Sequence, residues 1–181
     1  MLKNKKLNIK NLYFLISGFI SGFVIFEFYF KNENYVAVTD QNIEVCFTPG
    51  GRCKDIIIKH INEATSEILL HSYSFTSQEI ADSLLRAHDK GVMIKILFDK
   101  SQLTAKFSQI PRLIEEKIEN KIDKVNGIAH NKIMIIDSKV VITGSYNWTK
   151  SAEYRNSENI LFIKNEKIAN FYKKNWDNRF K

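Results

Sequence analysis

The run from His130 to Asn147, HNKIMIIDSKVVITGSYN, constrains the fold more than any other stretch of this chain. Ile133 to Ile136 is an unbroken apolar segment of strand length and reads as a strand buried on both faces. Val140 to Thr143 is a second, β-branched segment, and Ser138-Lys139 is a tight turn between the two. Residues two apart on an extended chain point to the same side. His130 and Lys132 can therefore face one point, and so can Ser145 and Asn147 just past the second strand. The predicted hairpin gathers an imidazole, an ammonium, a hydroxyl and a carboxamide.

Those groups suit a phosphodiester. Its anionic oxygens repel nucleophiles, so a site that cleaves it needs fixed positive charge and hydrogen-bond donors. Lys132 supplies the charge, and Ser145 and Asn147 supply neutral donors. His130 is the candidate nucleophile, since a neutral imidazole can attack phosphorus to give a phosphohistidine that water reopens. Asp137 starts the hairpin turn, where it orients the strand ends or the Lys132 region rather than touching substrate. No carboxylate cluster for magnesium or calcium and no His/Cys set for zinc is present, so no metal or other cofactor is implied.

Upstream, Lys3, Lys5, Lys6 and Lys10 precede the apolar stretch Leu12–Phe30. As a helix it would span about 28 Å, close to the hydrocarbon thickness of a bilayer. The basic flank keeps the start of the chain inside and sends the remainder out. Residues 1–30 are expected to be a signal anchor, leaving a membrane-anchored, exported (periplasmic) catalytic domain. If the segment is a signal peptide and is cleaved, the domain is secreted. Residues 31–43 would be a polar tether and residues 44–181 the catalytic domain. The two cysteines, Cys46 and Cys53, flank a Pro-Gly-Gly turn. In an exported domain they form a disulfide, and in a cytosolic one they stay as thiols. The net charge of +7 fits an anionic partner, either nucleic acid or an acidic membrane surface.

Between the tether and the hairpin, hydrophobic periodicity alternates. Glu44–Phe47, Glu67–Tyr73 and Val92–Phe98 read as strands. Arg52–Ala64 and the segment opened by a Thr76-Ser77-Gln78-Glu79 capping box read as helices. A helix over Ile110–Ile118 and a short strand over Ile122–Val125 follow. After the hairpin come a helical turn at Trp148–Tyr154, a strand at Asn159–Ile163 and a final amphipathic helix carrying Ile168, Phe171, Tyr172 and Trp176. The β-α-β-α-β rhythm predicts an α/β/α sandwich on a mixed, largely parallel sheet.

The spacing His130-x-Lys132-x4-Asp137-x6-Gly144-Ser145-x-Asn147 resembles the HKD signature of the phospholipase D superfamily. The likeness extends through CFTP near Cys46, YSFTS from Tyr73, DKSQL from Asp99, GIAHNK from Gly127 and Asn156-x-Glu158-Asn159. It is strongest toward short members with one motif per chain, the exported bacterial phospholipases D and Nuc-type endonucleases. The resemblance implies metal-independent hydrolysis through a phosphohistidine, with Glu158 fixing the histidine tautomer. A general acid must also protonate the leaving alkoxide. Of His60, His71, His88 and His130, only His130 has a lysine two residues on. The acid is then His130 of a second copy in a homodimer sharing one active site, with the hairpin strands near the seam. The rival is His71 acting within the chain, while His60 and His88 read as surface or boundary residues. The implied substrate is a phospholipid or, alternatively, a nucleic acid. Phe107, Ile110 and Leu113 could rim a lipid-facing mouth, and Lys100, Lys106 and Arg112 could line a groove for phosphates.

Overall fold

The computed structural model describes residues 42–181. Strands β1 (Ile43–Thr48), β2 (Glu67–Ser72), β3 (Met93–Phe98), β4 (Glu119–Ile122), β5 (Lys132–Ile136), β6 (Val140–Gly144) and β7 (Glu158–Lys164) form one sheet. Their order across it is β1-β7-β6-β5-β2-β3-β4. Alternate residues of each strand serve different cores, as the pleat demands. Ile68, Leu70, Ile94, Ile96, Met134, Ile142 and Phe162 lie in the larger core with side chains of helices α1 (Cys53–Glu63), α2 (Gln78–Asp89), α3 (Ile110–Glu115) and α4 (Lys150–Tyr154). Leu69, Leu97, Ile135 and Val141 face the other way, against Ala169, Trp176 and Phe180 of α5 (Glu166–Phe180). Trp176 also donates from its indole N–H to the carbonyl of Leu70 at 3.1 Å, so α5 is fixed to the sheet by a directional bond as well as by burial. Each large apolar side chain so covered contributes roughly 1.5–3 kcal/mol.

The sandwich is as expected, but the sheet is mostly antiparallel rather than largely parallel. Among the strands of the described residues, only β2–β3 and β3–β4 pair in parallel. The pairs β2–β5, β5–β6, β6–β7 and β7–β1 are antiparallel. The cause is connectivity. A tight hairpin can join only antiparallel strands, and the β5–β6 hairpin seeds that half of the sheet. The α1 crossover from β1 to β2 does keep the two strands pointing the same way. However, it carries the chain past three intervening strands, so β1 ends on the far edge against β7.

Local signals were displaced by a residue or a few. The β5–β6 turn centres on Asp137 and Ser138, both at φ 53°, and Lys139 N–H closes it on the carbonyl of Ile136 at 2.9 Å. Positive φ at both central residues is the turn whose twist matches flanking strands. The cap of α2 is Ser77, whose hydroxyl accepts from Ile80 N–H. Thr76 is not the cap, and Glu79 turns outward to Lys54 at 2.9 Å. Lys117, at φ 63°, ends α3 early, so β4 begins at Glu119 rather than at Ile122. His60 is buried and stacks on Phe162 with ring centroids 5.3 Å apart, so it belongs to the core and not to the surface.

Residues 1–30 and all but the end of the tether lie outside the described residues, and β1 begins at Ile43. Among the described residues no helix is long and apolar enough to cross a membrane. The carboxyl ends of β1, β2, β3 and β6 and the amino ends of β5 and β7 meet along one end of the sheet. That is where a site forms on an α/β sheet.

Candidate active site

Lys132 is the first residue of β5, and its side chain enters the sheet's end on the larger-core face, with Met134 and Ile136 behind it. Its Nζ donates to the carbonyl of His130 at 2.6 Å and lies 5.0 Å from the centre of the Tyr73 ring. The residue is only 6 % exposed. Burial pushes its ammonium below the ordinary lysine range, and the negative charge of Glu158 pulls it partly back. The His130 ring is exposed and sits against the same Tyr73 ring, with centroids 4.6 Å apart and planes at 57°. Tyr73 therefore touches both members of the His-x-Lys pair. Its place at the end of a strand, just before Ser-Phe-Thr-Ser, was the only sequence sign of it.

Gly144 closes β6 where no other residue fits: a Cβ there would meet the carbonyl oxygen of Asn159 at 2.1 Å. This close approach brings Ser145 against the start of β7. The Ser145 hydroxyl donates to Glu158 Oε2 at 2.5 Å and accepts from Asn159 N–H at 3.1 Å. Asn156 Nδ2 donates to Glu158 Oε1 at 2.9 Å. Glu158, the first residue of β7, is thus held by two side chains. Within one chain no hydrogen bond joins it to the His130 ring. Asn147 is half-buried, and its side-chain oxygen is buried without a protein partner. Tyr146 between them points into the core and donates to buried Glu153 at 3.0 Å.

Sheet-end loops are anchored by groups whose roles the sequence did not reveal. Burial pushes the Asp99 carboxyl up, but hydrogen bonds from Ser101 and Ala129 outweigh that and hold it below its usual range. The Ala129 N–H donates to Asp99 Oδ2 at 2.8 Å, fixing the backbone immediately before His130. Asn131, between His130 and Lys132, approaches His71 Nδ1 at 3.4 Å. His71 is 1 % exposed, and its Nε2 lies 2.9 Å from Asp123 Oδ2. Arg179 of α5 reaches both oxygens of that carboxylate at 3.0 Å. His71 therefore faces α5, on the opposite side of the sheet from Lys132, and is no acid for this site. Burial lowers its pKa, against the pull of the Asp123 carboxylate toward which its Nε2–H donates.

Of the residues singled out from sequence, His130, Lys132, Ser145, Asn147 and Glu158 lie at one end of the sheet. Asp137 does not: it lies at the opposite end of β5. There it accepts five hydrogen bonds from Thr65, Ser66 and Glu67, at 2.8–3.0 Å. Burial opposes its ionisation, but those donors bring its pKa down to about 2. Its role is to staple the hairpin turn to the start of β2. Cys46 and Cys53 are joined in a disulfide between β1 and α1. Ile110 and Leu113 are buried and form no mouth, while Phe107 is exposed. Arg112 is paired with Asp82 at 2.7 Å and is not free to line a groove. Among the described residues no group of acidic, His and Cys side chains could hold a metal ion.

The arrangement offers a solvent-facing imidazole beside a buried ammonium, with a fixed carboxylate and amide nearby. Comparisons with known proteins point the same way. The family described as cardiolipin synthase, PLD-like domain, matches residues 57–180. A phospholipase D of Rickettsia prowazekii is 36 % identical, over 98 % of this chain and 94 % of that protein. A mitochondrial cardiolipin hydrolase of Chlamydomonas reinhardtii is 28 % identical, over 89 % and 77 %. The crystal structure of Nuc, a phospholipase D family member from Salmonella typhimurium, superposes with a TM-score of 0.71. It is 32 % identical, over 76 % of this chain and 93 % of that one.

Proposed function

The chain belongs to the phospholipase D superfamily as a short single-motif hydrolase, and we propose that it is a phospholipase D that frees the headgroup of a phospholipid through a covalent bond to His130. One observation carries the lipid reading. The similarity to the Rickettsia phospholipase D runs over 98 % of this chain and 94 % of that protein, N-terminal residues included.

In this mechanism a ring nitrogen of neutral His130 forms a bond to phosphorus as the bond from phosphorus to the headgroup oxygen breaks. Lys132 and Asn147 hold the phosphoryl oxygens as charge builds on them. The departing alkoxide takes a proton from His130 of a second copy, which must be protonated at the outset. Water then attacks phosphorus, the nitrogen–phosphorus bond breaks, and phosphatidic acid leaves. That second histidine accepts the proton of the water and is reset. The dimer is required because His71, the second histidine that the described residues place at this end of the sheet, faces α5 on the opposite side from Lys132.

We assign residues 1–30 as the membrane anchor and the catalytic domain to an exported, oxidising compartment, a reading supported by the Cys46–Cys53 disulfide. A second reading, an endonuclease, is favoured by the Nuc superposition and by the net charge of +7. Initial rates of headgroup release from phosphatidylcholine vesicles and of plasmid nicking, measured in parallel beside a His130→Ala control, separate the two. Headgroup release far ahead of nicking supports the phospholipase; nicking alone overturns it.

A further inference from the structure

Two loops leave the catalytic end of the sheet on either side of β4: residues 99–109, after β3, and residues 123–131, before β5. Between them they expose three large apolar side chains, Leu103 at 43 %, Phe107 at 72 % and Ile128 at 58 %. Single apolar residues scattered on a surface need no explanation, but three on two loops tied to one carboxylate do. These loops are held in place. Asp99 takes N–H groups from both, Ser101 at 2.9 Å and Ala129 at 2.8 Å, and Gln102 accepts from Phe75 N–H at 3.1 Å. Phe107 adopts φ 67°, a costly backbone for a bulky residue. That backbone leaves its ring mostly in solvent.

Beyond Asp99 and Asp123, both buried, the charge on the same loops has one sign. Lys100, Lys106 and Lys124 lie on them, and no Asp or Glu occurs from Lys100 to Gln109 or from Lys124 to Asn131. Lys106 Nζ sits 4.9 Å over the Phe107 ring. The carboxylates that share a cavity with Phe107 are both already paired, Glu79 with Lys54 and Asp82 with Arg112. Apolar tips between lysines suit a surface that is oily below and anionic above. A nucleic-acid strand would use the lysines but has no use for exposed Leu103 and Ile128.

We propose that these two loops dock the chain on an anionic phospholipid bilayer, Leu103, Phe107 and Ile128 entering the acyl boundary and Lys100, Lys106 and Lys124 meeting the headgroups. This deepens the phospholipase reading and rests on it, since docking here sets His130 against the lipid phosphates.

The test uses the full chain. A Phe107→Trp variant is mixed with phosphatidylglycerol vesicles containing phosphatidylcholine brominated in its acyl chains. Its added fluorescence should be quenched, against a wild-type background in which Trp148 and Trp176 are both buried. No extra quenching overturns the proposal. Separately, a Phe107→Ser/Ile128→Ser double variant should lose about tenfold or more in rate on long-chain vesicles. It should keep its rate on monomeric short-chain phosphatidylcholine and on bis(p-nitrophenyl) phosphate. Equal losses on all three, a selective loss of DNA nicking, or a dimer turned monomer in sedimentation would each overturn it. If the wild-type chain cleaves bis(p-nitrophenyl) phosphate but no lipid while the tryptophan is quenched, the phospholipase reading fails and the docking surface stands.

Discussion

Ser145 donates its hydroxyl proton to Glu158 at 2.5 Å, tying the end of β6 to the start of β7. Asn156 holds the other carboxylate oxygen at 2.9 Å. The carboxylate is therefore oriented before substrate arrives, close enough to Lys132 to favour its charged form. Glu158→Gln should lower kcat about a hundredfold with an unchanged circular dichroism spectrum, and Ser145→Ala about tenfold. A wild-type rate for Glu158→Gln would remove this residue from the site.

Tyr73 touches the His130 ring and the Lys132 ammonium at once. Both contacts are made by the ring, so Tyr73→Phe should keep nearly the full rate. Tyr73→Leu, which removes the aromatic face, should lose about tenfold in kcat. Equal loss in both variants would show that the phenol hydroxyl, and not the ring, is what matters.

Asp137 belongs to stability. Its folded pKa is about 2, below the ordinary 3.8. A depressed carboxyl stabilises the fold fully above its unfolded value, and that contribution fades as pH falls from about 3.8 toward 2. Allowing for partial solvent screening it is on the order of 1–2 kcal/mol. Asp137→Ala should lower Tm at neutral pH and flatten the acid limb of the stability profile, leaving kcat near wild type. A selective collapse of kcat with unchanged Tm would return Asp137 to the site.

A shared site predicts a dimer. Sedimentation of the chain should show two copies, and wild-type chains mixed with excess His130→Ala chains should lose activity as mixed dimers form. An active monomer, or activity that simply follows the wild-type fraction in the mixture, would defeat the arrangement.

Much of this was legible in the sequence, for physical reasons. The HKD spacing survives folding because its members sit at strand ends, where period-two alternation fixes direction. Gly144 belongs to the same motif, whereas Glu158 came from the family resemblance and not from spacing. The sheet's handedness of pairing was not legible: a β-α-β rhythm does not say how many strands the α1 crossover passes. His71 stayed open as the rival acid because a strand-end histidine can face either side, and the approach of Arg179 from the far end of the chain shows which. Asp99 and Tyr73 act through backbone and ring contacts that carry no spacing signature. Asp137 lies on the motif, yet its work is done at the opposite end of the strand.

The most direct test of the central claim is to trap the intermediate. The chain would be mixed with phospholipid labelled at phosphorus, quenched within a turnover and digested. The account predicts acid-labile label on the peptide containing His130, and neither label nor turnover in His130→Ala. A His130→Ala protein that still hydrolyses lipid at the wild-type rate would contradict it.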